Sequence, residues 1–185
     1  MTMFKHLPVA LSAASVIATA ASPASSHAER GWLQNLLPHG EDPIRPDPRV
    51  TPGAALTSDP AVVCHTGYSK TVRHTSGKLK HEIYLSYGLD RSGGHYEIDH
   101  LIPLSIGGAD VKENLWPESY DTSPWNAHVK DRLEWKLLHL VCDGDVSMAQ
   151  AQRDIAQDWI AAYRKYCPTE RDCPSYESTH RGRAD

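Results

Sequence analysis

The sequence predicts an α+β domain, and three features of the chain carry that expectation. A short run with apolar Tyr96, Ile98 and Leu101 is closed by Pro103, as befits the end of a strand. After a Gly107-Gly108 turn, a second short apolar run opens at Asn114. Further on, two stretches repeat their apolar residues at the spacing of a helix face.

Taken in order, residues 1–28 read as an export signal. Lys5 and His6 precede an apolar run from Leu7 to Ala21, and small residues at Ser26 and Ala28 suit a cleavage site. A membrane-spanning helix is the competing reading, but the run is short and rich in Ala and Ser. Residues 29–60 hold Pro38, Pro43, Pro46, Pro48, Pro52 and Pro60, so an extended or disordered spacer is expected, with one helical turn possible at 32–37. The domain is expected over 61–167. It begins with extended chain over 61–72, followed by a helix over 78–87 that Gly88 stops. Beyond the strand–turn–strand unit, Ser123 as N-cap and Pro124 at N1 would open a helix running to Cys142. Its stripe is Val129, Leu133, Leu137, Leu140 and Val141. Ser147 and Gln150 make a capping box for a last helix, striped by Met148, Ala151, Ile155, Trp159, Ala162 and Tyr166. A short turn between two amphipathic helices predicts an antiparallel pair, with Trp159 and Tyr163 in its core. Residues 168–185 read as a polar tail.

The formal net charge is −4, and removing residues 1–28 drops Lys5 and leaves 18 basic against 23 acidic residues. That balance argues against passive coating of nucleic acid. The distribution is uneven, however. From His65 to His81 stand Lys70, Arg73, Lys78 and Lys80 with no Asp or Glu, a stretch that could meet phosphates or be an ordinary solvated face. Four cysteines in an exported chain favour two disulfides, with three connectivities open. The favoured one is Cys64–Cys142, tying the N-terminal arm to the central helix, with Cys167–Cys173 closing a small loop. Zinc held by cysteine is the competing reading, and no Cys-x-x-Cys spacing supports it.

The chemistry is carried by 96–110 together with Asn114-Leu115-Trp116-Pro117. Asp99-His100, Pro103, Gly107-Gly108 and Asn114-Leu115, in that order, resemble the core of the HNH (ββα-metal) nucleases. Wider features are similar to the small secreted bacterial branch of that family. They are Cys64-x-x-Gly67-Tyr68, Asn114-Leu115-Trp116-Pro117, Lys130-Asp131-x-Leu133-Glu134 and Val141-Cys142-x-Gly144. The resemblance covers about 63–166 and implies a ββα-metal core with flanking helices. It transfers a class of chemistry and not a substrate.

Phosphodiester hydrolysis needs an activated water, a Lewis acid and positioning of both. His100 suits the general base, because imidazole titrates near neutrality. Asp99 offers a hard anionic oxygen to a divalent cation. Neighbours on an ideal strand point to opposite faces, so the two share one site only if the strand distorts at its end, as the resemblance implies. By the same resemblance Asn114 braces the loop and helps orient the base. The third position is Asn126 or His128. Asn126 is preferred and suits Mg²⁺ or Mn²⁺, whereas His128 would admit Zn²⁺ or Ni²⁺. Lys130 could touch a phosphate or pair with Glu134 one turn on. Glu97, on Asp99's face, could support it, and Arg73 is the phosphate contact expected outside the motif.

The expected function is therefore a periplasmic or secreted, metal-dependent endonuclease acting on DNA, with RNA as a further substrate. No helix-turn-helix or zinc-finger reader is visible, so little sequence preference is expected. The partner is nucleic acid, with no membrane after signal cleavage; a protein inhibitor is beyond the reach of the sequence. The alternative is a catalytically silent metal- or nucleic-acid-binding domain on the same scaffold.

Overall fold

The computed structural model describes residues 45–89 and 95–174. The export signal, the turn at 32–37 and the end of the tail lie outside those residues. The described chain has a mixed α+β architecture, with one two-stranded antiparallel sheet and several helices.

Two short helices, α1 (Pro60–Val63) and α2 (Tyr68–Val72), stand where extended chain is expected. The signal for α1 is Asp59-Pro60. The Asp59 carboxylate accepts the Ala61 N–H, and Pro60 presets the first helical φ. Helix α3 (Gly77–Ser86) agrees with its expectation: Ser76 caps the Leu79 N–H, and Gly88 follows with φ 67°.

Strands β1 (Tyr96–His100) and β2 (Leu115–Ser119) pair antiparallel, with Ile98 opposite Pro117 and His100 opposite Leu115. The two faces of this hairpin do different work. Ile98 and Leu115 meet Ile83 of α3, flanked by Leu79, Tyr84 and Tyr87. On the other side Leu101 and Trp116 join the larger core.

Gly107-Gly108 lies in the link between the strands, and both glycines are sterically required. A Cβ on Gly108 would overlap the Ile102 carbonyl, and Gly107 holds φ 82° with the Thr57 carbonyl against it.

The stretch 45–59 is irregular, as its prolines dictate, yet it is fastened to the domain. Thr51 is buried and donates to the Leu115 carbonyl at 2.8 Å, and the Gly53 N–H reaches the Glu113 carbonyl at 2.9 Å. Arg45 pairs with Asp158 at 3.1 Å. From Arg45 onward the expected spacer is thus part of the packed structure.

Helix α4 (Ala127–Cys142) starts three residues later than its expectation. Asn126, not Ser123, is the N-cap: its Oδ1 accepts the Val129 N–H at 3.1 Å and its Nδ2 donates to the Thr122 carbonyl at 3.0 Å. Asn caps as well as Ser, so the sequence offered two starts of similar strength.

Helix α5 (Met148–Tyr166) begins at Ser147, whose hydroxyl accepts the Gln150 N–H. The capping box is only half made, because the Gln150 side chain turns to Asp154 instead. At Asp158 the helix breaks (φ −162°, ψ 100°), and the Asp158 carboxylate caps the continuing half through Ile160 and Ala161 N–H.

Leu133, Leu137 and Val141 of α4 share one core with Ile155, Trp159 and Ala162 of α5, and Tyr163 packs at its margin. Both favoured disulfides are present, Cys64–Cys142 and Cys167–Cys173, so no cysteine is left for zinc. Among the described residues no helix is long and apolar enough to cross a membrane.

Candidate active site at the end of strand β1

Asp99 and His100 end β1 facing opposite ways, and each enters a different network. His100 lies on the α3 side, 2% exposed. Its Nε2 is 2.8 Å from Asp110 Oδ1. Asp110 is in turn held by the His74 N–H and the Thr75 hydroxyl.

Burial pushes the His100 imidazole below its ordinary pKa, the Arg73 charge adds to that, and the Asp110 and Asp99 carboxylates oppose it. For Asp110, burial works toward a higher pKa, but the hydrogen bonds from Thr75, His74 and His100 win and hold it below the usual range. His100 Nδ1 has no hydrogen-bond partner among the described residues. The result is a neutral imidazole, oriented through one nitrogen by a carboxylate, with an exposed guanidinium nearby.

Asp99 lies on the α4 side. The Lys130 ammonium donates to Asp99 Oδ2, to Glu134 Oε1 and, at 2.9 Å, to the His100 carbonyl. Glu97 accepts the Tyr120 hydroxyl at 2.9 Å. Glu118, cross-strand from Glu97, is 2% exposed, and neither of its carboxyl oxygens has a hydrogen-bond partner among the described residues. Burial raises the pKa of Glu97, Glu118, Asp131 and Glu134, and the Asp99 charge raises each further. Lys130 opposes this in all four and is itself held well above its ordinary pKa by Asp99, Glu134 and Glu118, against its own burial.

Asn114 is fully buried between the two networks. Its Oδ1 accepts the Ile102 N–H at 2.9 Å and the Ala54 N–H at 3.3 Å. Its Nδ2 donates to the Ile102 and Ala109 carbonyls, each at 2.9 Å. This is the loop-bracing role expected of it, and it holds the segment between His100 and Asp110 closed.

The residues expected to hold a divalent ion do not fit one as they stand. Asp99 is engaged by Lys130, and both amide atoms of Asn126 are spent on the α4 cap. His128 is exposed and stacks 5.0 Å from the Tyr120 ring. Among the described residues no group of three His, Cys, Asp or Glu side chains converges as a metal site. Lys130 is fully buried, so it cannot serve as the phosphate contact expected of it; its pairing with Glu134 is the reading that holds.

Comparison with known proteins adds no relative: no family model, curated protein or solved structure matches this chain.

Sequence reasoning missed Asp110 and Glu118. Asp110 closes the Gly-Gly-Ala-Asp run, but only the folded loop shows that it returns to a His ten residues earlier. Nothing local marks Glu118, whereas in the fold all five β2 residues are buried. Of the basic stretch, Arg73 is exposed and its charge acts on His100, while Lys70 lies elsewhere. It lines a cleft of ~470 Å³ with His65, Ser105 and His139 beside the Cys64–Cys142 disulfide.

Proposed function

We propose that the chain is an exported phosphodiester hydrolase acting on nucleic acid, with His100 and Asp110 as its basic centre and Arg73 as its phosphate contact. The observation that carries this reading is the 2.8 Å contact of His100 Nε2 with Asp110 at the end of β1. With Asp110 accepting from Nε2–H, the free base is Nδ1, which takes the proton of an attacking water. Asp110 then stabilises the imidazolium that forms. Burial favours the neutral starting state, so His100 is ready as a base at neutral pH.

Arg73 is exposed, and its planar fork suits a phosphodiester that approaches from solvent. The HNH-like order of Asp99-His100, Gly107-Gly108 and Asn114, along with β1, β2 and α4 in succession, supports the same class of reaction. Export is supported by residues 1–28 and by two disulfides. A catalytically silent nucleic-acid-binding domain is the second reading, and the near-complete burial of His100 favours it.

Cleavage of plasmid DNA and of RNA, with and without EDTA, tests the reading. The parent chain should cut, and His100→Ala should lose about 10²–10⁴ of the rate. Asp110→Asn should lose activity as well, because it no longer stabilises the imidazolium. Parental rates in His100→Ala would dismiss the base assignment. A parent that binds nucleic acid but never cuts it would establish the silent domain.

A further inference from the structure

We propose that Lys130 is the resident cation of the Asp99 site: its ammonium fills the place among Asp99, Glu134 and the His100 carbonyl where a divalent ion was expected, and it positions the strand end that carries His100. An ammonium has three N–H donors, and Lys130 directs them at three oxygens, Asp99 Oδ2, Glu134 Oε1 and the carbonyl of His100. None of its surface is exposed. A buried ammonium keeps its charge where acceptors and opposite charge surround it, and this one is also flanked by Glu118, Glu97 and Asp131.

The acceptors are hard oxygens of the kind that Mg²⁺ and Mn²⁺ bind. One oxygen of each carboxylate, Asp99 Oδ2 and Glu134 Oε1, is already engaged by the ammonium, and a divalent ion at Asp99 would have to sit against a fixed positive charge. Glu118 sharpens the argument. Its carboxyl group is enclosed with no hydrogen-bond partner among the described residues, so removing the ammonium leaves its oxygens as further acceptors beside Asp99 and Glu134. The bond from Nζ to the His100 carbonyl makes Lys130 a positioning residue for the base as well as a counter-charge.

The test is Mn²⁺ binding by the full chain, read by electron paramagnetic resonance and calorimetry, and it does not depend on nuclease activity. The parent should take up no saturable Mn²⁺ up to about 1 mM, the weak end of protein divalent sites. Its unfolding temperature should be the same in EDTA and in Mg²⁺. Lys130→Met keeps the stem and removes the charge, and it should acquire saturable Mn²⁺ uptake that the added change Asp99→Asn abolishes. Saturable uptake by the parent that Asp99→Asn removes would overturn the proposal, and so would a folded Lys130→Met that still takes up none. If Lys130→Met does not fold, the parent titration decides alone. Failure of cleavage in the assay above leaves this result standing, so the two readings fail separately.

Discussion

Replacing Asn114 with Ala should cost the fold about 3–5 kcal/mol, because of what its side chain leaves behind. The side chain is fully buried and satisfies four backbone groups. Ala54 is partly exposed and can turn to water, but the Ile102 N–H, the Ile102 carbonyl and the Ala109 carbonyl belong to buried residues. Each buried group left without a partner costs about 1–3 kcal/mol, and partial relaxation brings three of them to the range given. Against a typical total of about 5–15 kcal/mol that is a large share of stability.

Urea melts of the parent and the variant, monitored by circular dichroism, measure it. Asn114→Asp is the informative companion. It keeps the shape and an oxygen that can accept from the Ile102 and Ala54 N–H groups, but at neutral pH it sets a carboxylate oxygen against the Ile102 and Ala109 carbonyls. It should be at least as unstable as Asn114→Ala at pH 7 and recover part of the loss in acid, where the protonated group can donate once. A loss below about 1 kcal/mol in Asn114→Ala, or no pH dependence in Asn114→Asp, would refute the view that this amide holds the loop shut.

Three further outcomes concern stability. Cys64–Cys142 closes a separation of 78 residues and Cys167–Cys173 one of 6, so chain entropy assigns them about 4.5 and about 2 kcal/mol. Paired Cys→Ala variants of each bridge should therefore differ in melting temperature, with the longer loop losing more, and the opposite order would reject the entropic account. Glu118 has a folded pKa raised above its unfolded value, so the stability it contributes is complete below about pH 4.5 and is lost as pH climbs through the raised value. Glu118→Gln should then gain on the parent in alkaline buffer while matching it in acid, and parallel stability–pH curves would rule this out. His100 works in the other direction: its lowered pKa costs stability as pH falls below about 6.5, and His100→Ala should flatten that acid limb.

Local chemistry made much of this protein legible before folding. The Gly88 stop after α3, the Gly107-Gly108 turn, the Ser147 cap and the α5 stripe all depend on neighbours within a few residues, and the structure keeps each of them. The misses come from competition between equal signals or from distance. Ser123 and Asn126 are comparable caps, and the choice between them was made by the contacts of Asn126 with Thr122 and Val129. The prolines of 45–59 do forbid regular structure, but they say nothing about attachment, which rests on Thr51 and Gly53 meeting residues sixty or more positions away.

By itself the sequence determined that Asp99 and His100 sit together at a strand end and that Asn114 stands just before the next strand. Which face each side chain takes, and what it meets there, was decided by the tertiary structure. Period-two alternation sends Asp99 to α4 and His100 toward α3, and the partners waiting there, Lys130 and Asp110, are brought by α4 and by the folded link between the strands. A charge's role is fixed by the charges and the solvent around it, and those are properties of the packed chain.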